Sequence, residues 1–179
     1  QTNPASAERL YEIAITEATS DWNASGPSED YVMDLFCGTG TIAQLLACAT
    51  NSTVIGVDIV QQAIMDARRS AQKNGIRNAE FHVADVGKFL LKYPEYVGKI
   101  KTIVLDPPRA GISPKTLRKI IRLKAKRMVY ISCNPATQAR DVSSLAEAGY
   151  DLTKLTLLDQ FPHTAHVEAV GVFEKTADL

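Results

Sequence analysis

Cys133 is the residue of this sequence best suited to nucleophilic chemistry. It follows the apolar run "RMVYIS" (127–132) and comes two residues before a predicted helix, 135–149. A thiol near the start of a helix has a lowered pKa, and the thiolate is the reactive form. A free cysteine is more commonly a small hydrophobe that packs in a core. We adopt that interpretation for Cys48, inside an amphipathic run, and leave Cys37 open between simple packing and a place beneath a ligand.

A glycine turn lies in the stretch "DLFCGTGTIA" (34–43), directly after another apolar run. Gly38 and Gly40 allow the backbone to turn tightly and to approach a ligand closely. Asp58 ends the next apolar run, where an acid can hydrogen-bond the two hydroxyls of a ribose. Together these features predict a cofactor that contains an adenosine.

Two cofactors fit this pattern. The spacing Gly38-x-Gly40-x-x-Ala43 satisfies the dinucleotide motif, so a nicotinamide cofactor is one interpretation. S-adenosylmethionine is the other, because it has an adenosine but no pyrophosphate. Asp34, just before the turn, is placed for the ammonium of its methionine part, and Asp85, at the end of the third predicted strand, is placed for the adenine amino group. A closing hairpin typical of methyltransferase folds also favours S-adenosylmethionine.

Asp106 opens the motif "DPPRAG" (106–111), which follows the fourth predicted strand. The two prolines fix a rigid turn, and Asp106 can meet a flat polar ligand there. Enzymes that methylate exocyclic amines often carry an aromatic residue after the two prolines, whereas this sequence has Arg109. The motif therefore disfavours methylation of an exocyclic amine.

A thiolate beside a methyl donor indicates methylation at carbon 5 of a pyrimidine. Addition of the thiolate at C6 makes C5 nucleophilic, and a base must afterwards remove the C5 proton so that the thiolate can leave. Glu168 is the candidate base, because it lies in an apolar strand where burial raises the pKa of a carboxyl. His163 and His166 lie near it, but no further paired ligand is evident, so we predict no metal site.

The elements that must position these residues follow from alternating apolar and amphipathic runs, which predict a parallel sheet with helices on both faces. The predicted strands are 31–36, 53–59, 79–85, 100–106 and 127–132, and the predicted helices are 5–19, 41–49, 60–75, 86–93, 113–124 and 135–149. Two last strands, 150–161 and 166–175, are close enough to form an antiparallel hairpin. Such sheets bind ligands beyond the carboxyl ends of their strands. We call that edge the rim; it carries residues 34–40, 58, 85, 106–109 and 132–135.

Composition narrows the classes of protein to consider. Lys plus Arg and Asp plus Glu number 20 each, so the formal net charge is zero, which disfavours a free-standing nucleic-acid binder. Three cysteines without CxxC spacing disfavour a disulfide framework and favour a reducing compartment, with the cytoplasm as our first expectation. No apolar run approaches the ~18 residues of a membrane span.

The motifs "DLFCGTGT", "DPPRAG", "ISCNP" and "FPHTAHVE", in this order over essentially the whole chain, resemble those of the RNA (uracil-5-)-methyltransferases. These enzymes make 5-methyluridine in tRNA or ribosomal RNA. The resemblance implies a class I methyltransferase fold of the Rossmann-like α/β type, with a mostly parallel seven-stranded sheet, and S-adenosylmethionine as cofactor. It implies Cys133 as nucleophile and Glu168 as proton acceptor. The further cofactor or active-site positions that it implies are Gln1, Phe36, Thr41, Asp58, Asp85 and Asp106.

The sequence also departs from the family pattern. Asp58 stands where many members have Glu, and Thr39 and Thr41 replace Asn residues of some members. Members usually have an N-terminal RNA-binding barrel and a central insertion, and some have an iron–sulfur cluster. We therefore expect residues 1–179 to form one catalytic domain of a longer protein, with residues 1–29 as a helix and loop that lead into its core.

Rival functions stay open at this point. Cytosine-C5 methylation is the nearest, although such enzymes usually have a cysteine where this chain has Pro107 and Pro108. A nicotinamide oxidoreductase and a non-catalytic RNA-folding module are the others. Our expectation is a monomer that does not contact a membrane and whose RNA substrate is delivered by regions outside this chain.

Overall fold

The computed structural model describes residues 4–22, 30–159 and 167–176, with side chains from residue 6 onwards. Its helices are α1 (Pro4–Thr19), α2 (Thr41–Ala49), α3 (Gln61–Lys73), α4 (Val86–Lys92), α5 (Pro114–Ile121) and α6 (Pro135–Glu147). Its strands are β1 (Tyr31–Leu35), β2 (Val54–Asp58), β3 (Ala79–Val83), β4 (Ile100–Leu105), β5 (Arg127–Ser132), β6 (Tyr150–Leu158) and β7 (Glu168–Lys175). Gln1, His163 and His166 lie outside the described residues, so the predictions made for them are not tested.

The described strands form one sheet in the order β3-β2-β1-β4-β5-β7-β6. The first five run parallel, whereas β7 pairs antiparallel with both β5 and β6. The predicted fold class is confirmed, including the antiparallel hairpin strands at the end of the chain. In the β5–β7 ladder Ser132 faces Ala169, so the next residue along β5, Cys133, comes opposite Glu168.

Two layers of helices cover the sheet and bury both of its faces. Helices α4, α5 and α6 contribute to one apolar cluster, with Phe89, Leu117 and Leu145 among its buried residues. Helices α1, α2 and α3 contribute to the other, which includes Ala14 and Leu46. Burial on both sides explains why the parallel strands read as nearly continuous apolar runs.

Arg127 fastens α1 to the sheet. This side chain, 9% exposed, donates to the backbone carbonyl of Glu17 at 3.0 Å and to the Glu174 carboxylate on β7 at 2.7 Å. It also reaches the Asp21 carboxylate, just beyond α1, at 2.5 Å. A buried guanidinium requires such partners, because a buried charge without them is costly. The cluster holds α1 over the centre of the sheet.

The structure contradicts two predictions about local structure. The third strand ends at Val83 rather than at residue 85, and Asp85 instead caps α4 by accepting the Lys88 backbone N–H at 2.9 Å. Cys48 is exposed, so its interpretation as a packed residue is wrong. The reason is helical periodicity: Cys48 shares the outer face of α2 with Leu45 and Thr41, three and seven residues away.

No described helix is long and apolar enough to cross a membrane.

Gly40, which precedes α2, has a positive φ, and its surroundings leave no space for a side chain. Its φ is +74°, and a Cβ there would come within 2.5 Å of the Phe81 ring and 2.9 Å of the Ala67 methyl. Gly75 has a similar φ of +69°, but nothing lies within 4 Å of its Cβ position. A comparison of Gly40 with Gly75 therefore separates the cost of a positive φ from the cost of a steric clash.

We expect Gly40→Ala to lower the free energy of unfolding by roughly 3 kcal/mol, because overpacking adds to the cost of a positive φ. Gly75→Ala, the matched control, carries only the conformational cost of roughly 1–2 kcal/mol. Urea denaturation of both variants measures the difference. Equal losses would contradict the close packing of Gly40 against Phe81.

Candidate functional site

Cys133, Glu168 and Asp106 meet at the rim. Cys133 follows β5, Glu168 begins the neighbouring strand β7, and Asp106 follows β4 on the other side of β5. Burial, and next the charge of Glu168, raise the pKa of both Cys133 and Asp106, so the three groups form one electrostatic cluster. Glu168 is itself half-buried, and this burial raises its pKa. The predicted proximity of thiol and base is confirmed, whereas their catalytic roles stay predictions.

The pKa of the Cys133 thiol is raised, which contradicts the lowered value expected near a helix start. Burial is the first cause and the Glu168 charge the second, and both outweigh the attraction of Arg109. The start of α6 also offers few free donors to the sulfur. Pro135 has no N–H, and the Asn134 N–H donates to the Ser132 hydroxyl at 3.1 Å. The thiol is therefore protonated in the domain without ligands.

The turn after β4 is tied to the loop that carries Cys133. The Asn134 side chain donates to the backbone carbonyl of Arg109 at 3.3 Å. Gly111 closes the turn through its N–H to Pro108 at 2.8 Å, and a Cβ on Gly111 would come within 2.9 Å of Thr137 on α6. Asp106 and Cys133 are thus carried by two loops that pack directly against each other.

A pocket of about 420 Å³ opens at the rim beside this cluster. Four of the predicted cofactor-binding residues line it, and the remaining lining is mostly apolar: Phe36, Asp58, Asp85 and Asp106, with Ile59, Val60, Ala84, Val86 and Pro108. Volume and lining suit an adenosine-sized ligand, because ligand pockets are mainly apolar with a few placed polar groups. A larger depression of about 590 Å³ lies between α3 and the edge strand β3, on the far side of the sheet from β5. It holds none of the predicted site residues.

Asp58 holds the glycine turn in shape, a role that the sequence analysis missed. One carboxylate oxygen accepts the Gly38 N–H and the other accepts the Val60 N–H, both at 2.8 Å. A carboxylate has about four acceptor sites, so Asp58 can still accept hydrogen bonds from a ligand. The spacing of twenty residues between Gly38 and Asp58 could have indicated this role, since it places the two residues at the ends of adjacent strands.

The turn after β1 combines a strained backbone at Phe36 with open space beside Gly38. Phe36 has a φ of +68°, an uncommon conformation for a bulky residue, and its N–H donates to the Val57 carbonyl at 2.9 Å. Such outliers cluster at binding sites, where the surrounding structure holds them. Gly38 has a φ of +51° and nothing within 4 Å of its Cβ position, so its backbone is open to a ligand. Cys37 is largely buried under the turn, which raises the pKa of its thiol.

Asp34 is fully buried on β1, and neither carboxyl oxygen has a hydrogen-bond partner among the described residues. Burial, and next the charge of Asp106, raise its pKa to about 8. The backbone N–H of Ala43 offsets part of this rise, although it does not reach hydrogen-bond geometry. An unsatisfied buried carboxyl is rare and needs an explanation. A cationic ligand group placed beside it would supply one.

Tyr11 is a site residue that the sequence analysis missed. It lies on α1, and its pKa is raised by burial and then by the charges of Asp106 and Asp34, so its hydroxyl borders the two acids. An aromatic residue in an amphipathic helix normally signals a core position, and no local motif marks Tyr11. The packing of α1 on the sheet, which Arg127 helps to fasten, brings it to the rim.

The other predicted positions divide as follows. Thr41 is the exposed first residue of α2, next to the glycine turn. Gln1 is outside the described residues. Within the described ranges 4–22, 30–159 and 167–176, no group of three His, Cys, Asp or Glu side chains could hold a metal ion.

Known proteins match this chain at the level of sequence and of structure. An uncharacterized RNA methyltransferase of Caldanaerobacter subterraneus subsp. tengcongensis is 40% identical over 98% of the chain, which covers 37% of that protein. The 23S rRNA (uracil(1939)-C(5))-methyltransferase RlmD of Salmonella typhi is 43% identical over 83% of the chain and 34% of that protein. The chain thus spans about a third of the length of these curated relatives.

Among solved structures, the tRNA (uracil-54, C5)-methyltransferase of Pyrococcus abyssi, in complex with S-adenosyl-L-homocysteine, superposes with a TM-score of 0.77. It is 35% identical, and the match covers 97% of this chain and 39% of that chain. The profile of the family described as "Methyltransferase domain" matches residues 27–169, a span that includes β1–β6, the glycine turn, Cys133 and Glu168. The chain therefore belongs to the methyltransferase domain family and has its class I fold.

Proposed function

We propose that this domain transfers a methyl group from S-adenosylmethionine to C5 of a uracil in RNA, with Cys133 as nucleophile and Glu168 as proton acceptor. One observation carries the proposal: the β5–β7 register brings Cys133 opposite Glu168, beside a pocket of adenosine size. The names of two relatives support the choice of uracil C5, in ribosomal RNA for the Salmonella typhi enzyme and in tRNA for the Pyrococcus abyssi enzyme.

Each of the proposed cofactor-binding residues contacts a different part of S-adenosylmethionine. Asp58 accepts hydrogen bonds from the ribose hydroxyls, and Asp85 accepts one from the adenine amino group. Phe36 contacts the adenosine, and Gly38 and Gly40 let the backbone approach it. Thr41, at the same turn, and Gln1 complete the proposed set. When bound, S-adenosylmethionine supplies an electrophilic methyl group.

Asp34 holds the ammonium of the cofactor's methionine part. Its carboxyl is buried and unsatisfied, so a cation beside it replaces the missing hydrogen-bond donors. Asp106 lies between this group and Cys133, where it meets either the methionine part or the edge of the target base. The domain thus keeps two buried carboxyls for the polar groups of its ligands.

The covalent steps use only Cys133 and Glu168. The Cys133 sulfur gives its proton to solvent water and forms a bond to C6 of the uracil, which places the electron pair of the C5–C6 double bond on C5. After C5 has accepted the methyl group, Glu168 removes the remaining C5 proton, the double bond re-forms and the sulfur leaves. Because burial raises the pKa of Glu168, its carboxylate is a better proton acceptor than an exposed one. The target base must be unstacked to reach the thiol.

Replacing the nucleophile separates chemistry from binding. We expect Cys133→Ala to lower methyl transfer by roughly a thousandfold or more, because C5 is then never activated. Binding of S-adenosylhomocysteine, measured by calorimetry, should stay unchanged. Cys48→Ala is the matched control, because Cys48 is exposed on α2 and should leave both measurements unchanged. Retained turnover in Cys133→Ala would exclude covalent catalysis by this residue.

Replacing the base should trap the intermediate. The Cys133 pKa is raised first by burial and next by the charge of Glu168. Glu168→Gln removes that charge, so sulfur addition continues, whereas removal of the C5 proton slows by roughly 10²–10⁴-fold. A covalent protein–RNA adduct that survives denaturing electrophoresis should therefore accumulate. Glu80→Gln, on the far edge strand β3, should form none. Digestion of the RNA product to nucleosides identifies the base, and 5-methylcytidine in place of 5-methyluridine would overturn the assignment.

The affinity for S-adenosylhomocysteine should depend on pH through Asp34. Its pKa of about 8 means that the carboxyl is protonated at pH 6, so an ammonium must displace that proton on binding. Affinity should therefore rise between pH 6 and 8, by at most about tenfold per pH unit, and then level off. Calorimetry in buffers of different ionisation enthalpy measures the proton released. Asp34→Asn should weaken binding at pH 8 and flatten the profile, whereas Asp66→Asn on α3 should do neither.

A further inference from the structure

The zero net charge of the chain conceals a strong segregation of charge. Residues 86–127 contain twelve of the 20 Lys and Arg residues but only two acids, Glu95 and Asp106. This stretch has a formal charge of +10, and the rest of the chain has −10. The stretch runs from α4 through β4 and α5 to the first residue of β5.

The fold gathers most of these cations on one surface. Helices α4 and α5 pack side by side on the same face of the sheet, and the Lys119 ammonium joins them by donating to the Gly87 carbonyl at 2.9 Å. The exposed cations of the two helices and of the loop after α5 are Lys88, Lys92, Lys115, Arg118, Arg122, Lys124 and Lys126. We call this set, together with Lys119, the α4–α5 face.

A regular stripe runs along α5. Lys115, Arg118 and Arg122 follow one another at spacings of three and four residues, which place them on one side of a helix. From Lys115 to Arg122 the stripe covers roughly 10 Å at the rise of an α-helix. The stripe is therefore long enough to contact more than one phosphate, since successive charges of a DNA strand are spaced by ~3.4 Å along the helix axis.

Ion pairing does not account for these cations. None of the seven exposed side chains makes an ion pair with a described residue, and of them Lys92 lies over the Tyr93 ring, 5.2 Å from its centroid. Arg118 in the last turn of α5 interacts favourably with the helix dipole, but Lys115 lies in the first turn, where a cation is unfavourable. So many uncompensated like charges repel one another, and an anionic partner would relieve that repulsion.

The α4–α5 face begins beside the catalytic cluster. Arg109 lies in the turn after β4, close enough to Cys133 for its charge to lower the pKa of the thiol, and its backbone bonds to Asn134. The same turn leads directly to Ser113 and Lys115 at the start of α5. Positive charge is therefore continuous from the thiol along α5 toward the opposite edge of the sheet.

We propose that the α4–α5 face binds the phosphate backbone of the RNA that presents the target uridine. This inference rests on the proposed function and adds to it a contact surface outside the active site. Exposed Lys and Arg side chains bind phosphates with little regard to sequence, and they fix the register of the nucleic acid. Arg109 holds the backbone next to the flipped nucleotide, and the α5 stripe holds the strand that continues from it.

The test compares two triple variants with the same loss of charge. Lys115→Gln/Arg118→Gln/Arg122→Gln removes the stripe, and Arg69→Gln/Lys73→Gln/Arg77→Gln removes three exposed cations on and just after α3, on the other side of the sheet. Fluorescence anisotropy with an RNA hairpin that lacks uridine measures binding from 50 to 200 mM KCl. We expect the stripe variant to bind roughly tenfold or more weakly at 50 mM, with a salt slope reduced by about 2–3. The α3 variant should match the unmodified protein.

Several outcomes would overturn the proposal: no binding of the hairpin by the unmodified protein, an unchanged salt slope in the stripe variant, or equal losses in both variants. Loss of binding to anionic vesicles of phosphatidylserine and phosphatidylcholine, without loss of RNA binding, would instead assign the face to a membrane. Binding of the hairpin by the unmodified protein, together with no methyl transfer to a separate uridine-containing RNA, would contradict the proposed function and leave the face intact. With a uridine-containing RNA, the stripe variant should show a raised KM and an unchanged kcat.

Discussion

The antiparallel insertion of β7 between β5 and β6 is the constraint on which the candidate site depends. A strand that ran parallel there would present its carboxyl end at the rim, and Glu168, its first residue, would lie at the opposite edge. Because β7 runs backwards, its first residue reaches the rim, and the pairing of Ser132 with Ala169 sets Glu168 opposite Cys133. A register slip of one residue would turn Glu168 to the other face of the sheet. The extensive pairing of β7 with both neighbours fixes that register.

Buried acids give the rim its electrostatic character. Burial and mutual repulsion raise the pKa of Asp34 to about 8 and of Asp106 to about 6, and Glu168 shifts in the same direction. The folded domain therefore holds protons that the unfolded chain releases near pH 4. The contribution of these groups to stability is largest below pH 4 and falls as the pH rises through 6 and 8. A ligand with a cationic group removes this penalty, so the arrangement favours binding at the expense of stability.

Charge distribution shows how composition alone can mislead. A formal charge of zero disfavours a nucleic-acid binder only if the charges are mixed over the surface. Here the helices of one face carry the cations, whereas the buried rim carries acids such as Asp34 and Asp106. The same separation places positive charge around the approach to the site and acids of raised pKa within it. The local field that a polyanion would meet is set by this separation and not by the sum.

The sequence by itself determined the class of fold, because the signals for it are local. Strands that are buried on both faces of a parallel sheet must be apolar runs, and these runs alternate in the sequence with amphipathic helices and glycine turns. It also determined that Asp58, Asp106 and Cys133 lie at or directly after strand ends on one edge. It misplaced Asp85, which caps α4 two residues beyond the end of β3. The local sequence pattern could not predict pKa values or side-chain contacts, because these depend on residues that are distant in the chain. Only the tertiary structure decided that the Cys133 pKa is raised rather than lowered, because Glu168, 35 residues away in the chain, and the surrounding burial set it. The same holds for Tyr11, which reaches the acid pair because Arg127 fastens α1 across the sheet, and for Asp34, whose lack of hydrogen-bond partners is a property of the folded interior.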